Sequence, residues 1–327
     1  MPERASSRIG VVAIGRNEGD RLKLCLSSLA DSRAPIVYVD SGSTDGSREA
    51  ARALGATVQP LDMARPFTAA RARAEGFDRL AALARELDYV MFVDGDCEVE
   101  PGWLDEAVRF LDEHPGHAVV CGRRRERFPR ASLYNRLMDA EWNTPVGDAA
   151  ACGGDAVFRV RAYREAGGYE PAMVAHEEPE LCSRIRRRGW RIARTDIPMT
   201  IHDADIRRVA PYLKRAVRAG YGYAQALARI EPKRGSNELQ LVRRAVQWPV
   251  LACLALALAV LSPILGAVAI TPLALSFLRD AWRSPPDLGA LRFASLRLAS
   301  KFAECLGILR WSRDRLLSRS SGAILYK

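Results

Sequence analysis

Apolar and polar positions along the first 110 residues follow the periods of alternating strands and helices. Short apolar runs bounded by turn residues predict strands over residues 9–14, 35–39, 57–59 and 89–93. Helical spacing of apolar residues, or high helix propensity, predicts helices over residues 20–30, 43–54 and 69–87. Strands that alternate with helices favour an α/β fold with a mostly parallel sheet flanked by helices.

A second pattern occupies residues 248–278, which are uncharged and strongly apolar. One membrane span needs about 20 residues and two need about 40, so this length lies between them. Arginines flank both ends, and basic flanks prefer the cytoplasmic side of a membrane. A break at Ser262-Pro263 would give two short helices in a membrane hairpin, because proline ends a helix. A single kinked span and a buried pair of soluble helices are the alternatives.

Residues 288–317 alternate apolar side chains with Arg and Lys. This pattern predicts a basic amphipathic helix that lies on an anionic membrane surface. The alternative is a solvated helix that packs on the rest of the chain.

The composition narrows the partners. A chain of 327 residues with 48% hydrophobic residues can build a large core, and a net charge of +10 favours anionic partners. Nucleic acid fits poorly, because no aromatic residues are interleaved with the arginines. The seven cysteines form no Cys-x-x-Cys pair, so we expect reduced thiols in the cytoplasm. Residues 1–8 are polar and give no indication of a signal peptide.

Asp94, Gly95 and Asp96 follow the apolar run that ends at Val93. Carboxylates at positions i and i+2 after a buried strand suit Mg²⁺ or Mn²⁺, with substrate phosphates and water completing the shell. The pattern therefore indicates chemistry on a phosphorylated substrate. A solvated turn is the alternative, since Asp and Gly are common turn residues.

Two loops, residues 15–19 and 40–47, are expected at the same end of the sheet as this acidic turn. Small residues in the second loop would let main-chain N–H groups approach a nucleotide, and Asp40 could accept a hydrogen bond from it. A turn followed by a capped helix is the alternative.

The order and spacing of these motifs resemble the inverting glycosyltransferases of family 2, which have the GT-A fold, over residues 8–230. The matching segments are residues 11–18, 39–47, 70–71 and 94–96. The resemblance implies that Asp94 and Asp96 hold the metal and the diphosphate. It implies a nucleotide-sugar site that comprises Asn17, Glu18, Asp40, Ser43, Asp45, Arg71, Asp94 and Gly95. Ser41 stands where many relatives have a second Asp, so the resemblance does not predict which nucleotide base the donor carries.

The resemblance extends to the second half. Gly153, Gly154 and Asp155 match the segment near the donor sugar and acceptor, and a helix is expected over residues 163–168. Glu178 matches the catalytic base, with Glu177 as the second candidate. A carboxylate can take the proton of the acceptor hydroxyl as it attacks the sugar. The same acidic residues also suit the first turn of a helix.

His202 matches a position that completes the metal shell in some relatives, beside Asp94 and Asp96. His176, next to the predicted base, could instead contact the acceptor. Processive relatives carry a Gln-x-x-Arg-Trp signature, whereas residues 186–190 here read Arg-Arg-Arg-Gly-Trp. We therefore predict the addition of one sugar per binding event.

These inferences predict a GT-A catalytic domain over residues 1–235, with a nucleotide-sugar half (1–110) and an acceptor and base half (111–235). Residues 236–327 are predicted to form a C-terminal α-helical membrane-associated segment. The expected enzyme uses Mg²⁺ or Mn²⁺ and a UDP-, GDP- or dTDP-linked sugar. Its acceptor is expected to be a lipid-linked or cell-envelope glycan at the cytoplasmic membrane face, where the chain contacts membrane lipids.

Two other functions fit part of the pattern. A haloacid-dehalogenase-like phosphatase also places an Asp-x-Asp pair after an apolar strand, with Mg²⁺. That motif usually opens its domain, whereas Asp94 follows several strand and helix units, and no convincing later Lys and acidic pair is found. The other is a degenerate scaffold that binds nucleotide sugars without catalysis, against which the retained Asp-x-Asp pair and base candidate argue.

Overall fold

The computed structural model describes residues 8–229, 237–284 and 289–317, which divide into two compact units. The first unit runs to Met173 and resumes over Glu177–Asp205. The second comprises Val174–His176 and the residues from Ile206 onward. The domain boundary predicted at residue 235 lies outside the described residues.

A nine-stranded mixed sheet forms the centre of the first unit. Its strands are β1 (Ile9–Gly15), β2 (Ile36–Asp40), β3 (Thr57–Pro60), β4 (Tyr89–Asp94), β5 (Cys97–Val99), β6 (His117–Glu126), β7 (Gly147–Asp148), β8 (Ala156–Arg159) and β9 (Arg191–His202). They are ordered β3-β2-β1-β4-β8-β6-β9-β5, and β7 pairs with β9.

The four N-terminal strands β1 to β4 pair in parallel, as the alternating pattern predicts. The carboxyl ends of β1, β2 and β4 therefore meet at one edge, which brings the two predicted loops to the acidic turn. The sheet becomes mixed beyond β4, because β8 pairs antiparallel with both β4 and β6.

Seven α-helices accompany this sheet in the described part of the first unit. They are α1 (Asp20–Ser28), α2 (Ser47–Ala53), α3 (Ala69–Leu83), α4 (Trp103–Glu113), α5 (Leu133–Trp142), α6 (Val160–Glu165) and α7 (Glu177–Arg187). The helix predicted over residues 163–168 is wrong by three residues. Gly167 and Gly168 have φ of +82° and +68°, a left-handed conformation that ends the helix before them.

The sheet core is built from fully buried apolar side chains of the central strands. Val11, Val12 and Phe92 have no exposed surface. The Phe92 ring meets Phe158 edge to face at 5.5 Å and Tyr169 at 5.1 Å between ring centroids. Such aromatic pairs add about 0.5–1.5 kcal/mol each beyond their buried area. This packing fixes the strand that carries the acidic turn.

The described part of the second unit is helical: α8 (Val209–Arg229), α9 (Asn237–Leu261), α10 (Pro263–Trp282) and α11 (Ala290–Leu316). Helices α8 and α11 cross closely at two glycines. A Cβ on Gly220 would lie 1.9 Å from the Glu304 carbonyl oxygen, and one on Gly307 would lie 2.0 Å from that of Val217. Side chains larger than hydrogen do not fit at this crossing.

Helices α9 and α10 correspond to the predicted apolar segment. The helical conformation is interrupted between them at Ser262, as the Ser-Pro pair predicts. Both helices are long and apolar enough to cross a membrane, and 11% and 6% of their most apolar windows are buried. Helix α11 corresponds to the predicted basic helix. Its placement on a membrane surface stays a prediction.

Candidate active site

The acidic turn at the end of β4 is held against β1. The Gly95 N–H donates to the Ile14 carbonyl oxygen at 2.7 Å. A Cβ on Gly95 would lie 3.0 Å from the same oxygen, so a larger residue would displace the turn. Asp94 and Asp96 are partly exposed at the carboxyl edge of the sheet.

Asp96 lies beside the predicted histidine ligand. Strand pairing of β5 with β9 places His202 opposite Cys97, and its Nε2 is 3.3 Å from Asp96 Oδ2. The imidazole packs edge to face on Trp142, with 4.8 Å between ring centroids. Burial acts to raise the pKa of Asp96, but His202 and Arg124 outweigh it and hold that pKa below its ordinary value.

The donor atoms of Asp96 and His202 fit a divalent cation. Two adjacent ligands about 2.1 Å from an octahedral ion are about 3 Å apart, close to the spacing observed here. Glu126 Oε2 is 4.0 Å from Nδ1 of His202, beyond hydrogen-bond distance, on the side where an outer carboxylate commonly orients a ligating histidine. The carboxylate is a hard donor that Mg²⁺ and Mn²⁺ prefer, whereas the adjacent Cys97 thiol is a soft one.

Asp155 supports the metal turn from behind. Its fully buried carboxylate accepts the main-chain N–H of Asp94 at 3.2 Å and the Thr200 hydroxyl at 2.7 Å. Arg124 Nε lies 3.5 Å from the same carboxylate. The structure thus brings Asp155 to the acidic turn, in a position that orients Asp94.

Gly154 lies where no side chain would fit. A Cβ there would be 2.7 Å from Arg73 Nη2 and 2.9 Å from Asp94 Oδ2, whereas Gly153 has open space around its Cα. The predicted small-residue segment therefore borders the carboxylates directly.

Arg73 on α3 connects the metal turn to the predicted base. Its buried guanidinium donates from Nη2 to Asp94 at 2.7 Å and from Nη1 to Glu177 at 2.9 Å. The same Nη1 lies 3.1 Å from Glu178. Loss of this arginine would leave three carboxylates close together without their shared cation, which is strongly unfavourable in a buried site.

Glu178 has the ionisation of a base poised near neutral pH. Burial, followed by the charge of Glu177, raises the pKa of Glu178 to about 8, although Arg73 acts in the opposite direction. Acid and base catalysts work best with pKa values near the working pH. The two glutamates open α7, so the helix terminus also favours their negative charge.

The two predicted nucleotide loops are tied to each other. Asp40 Oδ2 accepts the main-chain N–H groups of Gly42 and Ser43 at 3.1 and 3.0 Å. The Asn17 N–H donates to Ser43 Oγ at 2.9 Å, and Asn17 Oδ1 accepts the Thr44 N–H at 2.8 Å. These bonds hold residues 43 and 44 in a loop, so α2 begins at Ser47 rather than at the predicted residue 43.

The remaining predicted nucleotide ligands have local partners. Glu18 pairs with Arg21 at 2.6 Å, and Asp45 accepts the Ser47 hydroxyl at 2.6 Å. Arg71 is buried, donates to Glu75 at 2.7 Å and to the Asp62 carbonyl at 2.9 Å, and holds the loop after β3. The structure places Arg71 outside the carboxylate cluster, and its contact with a nucleotide stays a prediction.

Sequence reasoning missed Arg73 and Arg124. Arg124 on β6 lies 3.4 Å from Asp94 and stacks over Trp142 at 4.8 Å, although it belongs to a basic run over residues 123–127, and such charge runs usually form a solvated face. Its neighbours Arg123 and Arg125 pair elsewhere, with Asp139 and Glu100. The period of two along a strand is the signal that separates Arg124 from them.

His176, the other histidine near the base, belongs to the second unit. There its ring meets Tyr223 edge to face at 5.0 Å. Burial lowers the pKa of His176 to about 4, so the imidazole is neutral at pH 7. Its contact with an acceptor stays a prediction.

Comparison with known families gives a match over residues 11–151 to the model of glycosyl transferase family 2. The chain is similar to the succinoglycan biosynthesis protein ExoA of Rhizobium meliloti, at 26% identity over 55% of this chain and 58% of that protein. It is similar to glucomannan 4-beta-mannosyltransferase 2 of Arabidopsis thaliana, at 27% identity over 46% of this chain and 28% of that protein. The chain thus spans less than two thirds of either relative.

Solved structures share the fold. The mannosyltransferase PcManGT of Pyrobaculum calidifontis, solved with GDP-Man and Mn²⁺, has a TM-score of 0.59 and 19% identity over 94% of this chain and 88% of its own. S. aureus TarS residues 1–349 give a TM-score of 0.52 and 14% identity over 93% and 92%. The matches lend no support to the phosphatase alternative.

Proposed function

The chain is a family 2 glycosyltransferase with a GT-A fold, and we propose that it transfers one sugar, with inversion, from a nucleotide-sugar donor. The proposed acceptor is a lipid-linked or cell-envelope glycan at the cytoplasmic face of the membrane. The substrate class is supported by two similar proteins: ExoA is a succinoglycan biosynthesis protein, and PcManGT was solved with GDP-Man and Mn²⁺.

One observation carries the proposal. Arg73 bridges Asp94, which belongs to the metal turn, and Glu177 and Glu178, which open α7. A site that transfers a sugar needs a leaving-group site and a base close to each other, and this arginine joins the two in the first unit.

In the proposed mechanism, Asp94, Asp96 and His202 would hold Mg²⁺ or Mn²⁺. When bound, this cation supplies Lewis-acid stabilisation of the leaving diphosphate. Glu178 accepts the proton of the acceptor hydroxyl as its oxygen attacks the anomeric carbon. Arg124 offers a further positive charge beside Asp94 for the negative charge that develops on the leaving group. Direct attack opposite the leaving group inverts the anomeric centre.

Transfer of a single sugar is supported by the position of Trp190. Its indole N–H donates to Glu165 at 3.0 Å, and Arg161 lies over its ring at 5.9 Å. Both partners belong to α6, and neither is one of the carboxylates that Arg73 joins.

Membrane association is supported by the exposed apolar surfaces of α9 and α10.

Activity is expected to depend on pH through Glu178. The base must be deprotonated, and its pKa is about 8 without a bound cation, so kcat/KM should rise about tenfold per pH unit at acidic pH and level off at or below pH 8. The unfolded chain has the lower ordinary pKa of 4.5, so the folded state holds the proton more tightly and stability should fall as pH rises from 4.5 to 8. Rates and thermal unfolding measured from pH 5 to pH 9 test both trends, and a flat kcat/KM would contradict the assignment.

A transfer assay tests the function itself. The full chain in detergent, with Mn²⁺ and a membrane lipid extract, is expected to release nucleoside diphosphate from one of a panel of UDP-, GDP- and dTDP-sugars. The sugar should appear in a product extractable into organic solvent. NMR of this product should show that the anomeric configuration is inverted relative to the donor. A retained configuration would overturn the inverting mechanism. Release of inorganic phosphate from simple esters without sugar transfer would overturn the transferase proposal.

A further inference from the structure

The apolar helices α9 and α10 form a hairpin with two chemically different ends. Gly266 lies against Ala259 near the break, where a Cβ on the glycine would be 2.5 Å from that of the alanine. The exposed side chains near this tip are apolar, with Val260 at 83%, Leu261 at 78% and Ile264 at 74% exposure. Because the chain reverses at Ser262, residues 244–248 and 276–283 share the opposite end.

That opposite end, with α11, encloses a cavity of about 290 Å³. It is lined by residues of all three helices: Arg244, Gln247 and Trp248 of α9, Ser276, Phe277, Arg279, Asp280 and the adjoining Arg283 of α10, and Ala294, Arg297, Leu298 and Lys301 of α11. Five of these side chains are cationic, and Asp280 is the acidic one among them.

The cationic charge of this cavity is only partly compensated. Asp280 lies 3.4 Å from Arg297 and 3.9 Å from Arg279, and Lys301 pairs with Glu304 at 2.9 Å. Arg244 and Arg283 have no ion-pair partner within residues 8–229, 237–284 and 289–317. Arginines that outnumber the carboxylates beside them are suited to phosphate oxygens.

The length of the hairpin sets the depth of the cavity. At 1.5 Å per residue, the apolar residues 250–261 extend about 18 Å and residues 263–278 about 24 Å. These two stretches alone are shorter than the hydrocarbon core of about 30 Å, although the whole helices of 25 and 20 residues are long enough to cross it. With its apolar tip inserted, the hairpin would place the cavity at the headgroup layer, where tryptophans such as Trp248 and the exposed Trp282 are favoured.

We propose that this cavity binds the phosphate group of a membrane lipid at the boundary between the bilayer and water. The shared chemistry is a phosphate monoester, whether it belongs to an anionic phospholipid such as phosphatidic acid or to a phosphorylated lipid carrier. The inference rests on the proposed membrane association and not on sugar transfer. Lipid binding is measured without a donor, so either idea can fail while the other stands.

The test measures binding of the full chain to three kinds of vesicle. The first contains only neutral phosphatidylcholine, the second also contains phosphatidic acid, and the third contains oleate in place of phosphatidic acid at the same total charge. Phosphatidic acid presents a phosphate monoester, whereas oleate presents a carboxylate. We expect tighter binding to the phosphatidic acid vesicles than to either of the others. Equal binding to oleate vesicles would show that charge alone is recognised and would overturn the proposal.

Two double variants remove the same charge from different places. Arg244→Gln with Arg283→Gln removes cations that line the cavity, and Arg243→Gln with Arg292→Gln removes exposed neighbours that do not line it. Each lost surface cation weakens attraction to any anionic membrane. The cavity variant is expected to lose at least ten times more affinity for phosphatidic acid vesicles than the control, with unchanged helix content by circular dichroism. Equal losses would overturn the proposal.

Soluble phosphate distinguishes the source of the ligand. If inorganic phosphate or diphosphate at millimolar concentration raises the unfolding temperature of the wild type and displaces the vesicles, the cavity recognises the phosphate group. If phosphate raises the unfolding temperature of the wild type but not of the Arg244→Gln and Arg283→Gln double variant, and phosphatidic acid vesicles do not bind, the ligand is a soluble anion. The lipid assignment is then wrong.

Discussion

Replacement of Glu178 by Gln is expected to lower kcat by about 10²- to 10⁴-fold, the contribution that a general base makes to such reactions. The amide keeps the size of the side chain and removes its capacity to accept a proton. Glu178 lies 3.1 Å from Arg73, which also pairs with Asp94, so donor binding should be monitored by thermal shift with Mn²⁺ and the nucleotide sugar. We expect that shift to be retained, because the loss affects catalysis.

Two further variants make this experiment decisive. Glu49→Gln removes an exposed carboxylate of α2, well separated in sequence from the base, and should leave kcat unchanged. Glu177→Gln tests the second candidate, whose carboxylate accepts a hydrogen bond from Arg73. Normal transfer by a folded Glu178→Gln variant, together with a large loss in Glu177→Gln, would reassign the base to Glu177.

Replacement of Asp96 by Asn is expected to abolish stimulation by Mn²⁺ and to lower kcat/KM about a thousandfold, which corresponds to several kcal/mol of lost charge stabilisation. Asp96 is the carboxylate nearest His202, at 3.3 Å, so the variant loses one of the two carboxylates among the three proposed ligands. Isothermal titration with Mn²⁺ and EDTA titration of the wild type measure the same site directly.

The control for this loss is Asp105→Asn, an exposed acidic residue in the first turn of α4. It should bind Mn²⁺ and turn over donor like the wild type. His202→Ala separates the ligands: weaker Mn²⁺ binding supports the histidine as a ligand, and unchanged binding assigns its role to packing on Trp142. Unchanged Mn²⁺ binding by Asp96→Asn would contradict the metal site.

The N-terminal half was predictable because each of its elements carries its own pattern. The strand over residues 9–14 and the helix that starts at residue 69 follow from local periodicity and propensity, and the structure has β1 and α3 there. Antiparallel insertion of β8 beside β4 was not predictable, since pairing between distant segments leaves no local period. The mixed character of the sheet therefore emerges only in three dimensions.

The site shows the same limit at Arg71 and Arg73. Two residues apart on a helix means about 200° of rotation, so one arginine faces the carboxylates and the other faces away. Either could have been the inward one, because the sequence does not specify the rotation of α3 about its axis. In the structure, the face of α3 that contains Gly76 packs on the sheet, because a Cβ at this position would lie 2.4 Å from Val12. This contact defines the rotation of the helix.

The bridge that Arg73 makes has a thermodynamic consequence. Asp94 and Glu178 share one guanidinium, so a change of charge on either side alters the free energy of the other. A divalent cation at Asp94 and Asp96 would favour the carboxylate form of Glu178, and linkage requires that loss of the Glu178 proton tighten cation binding equally. Binding of the cation together with the donor would thereby favour the deprotonated form of Glu178. The base would then activate no water before the sugar is in place.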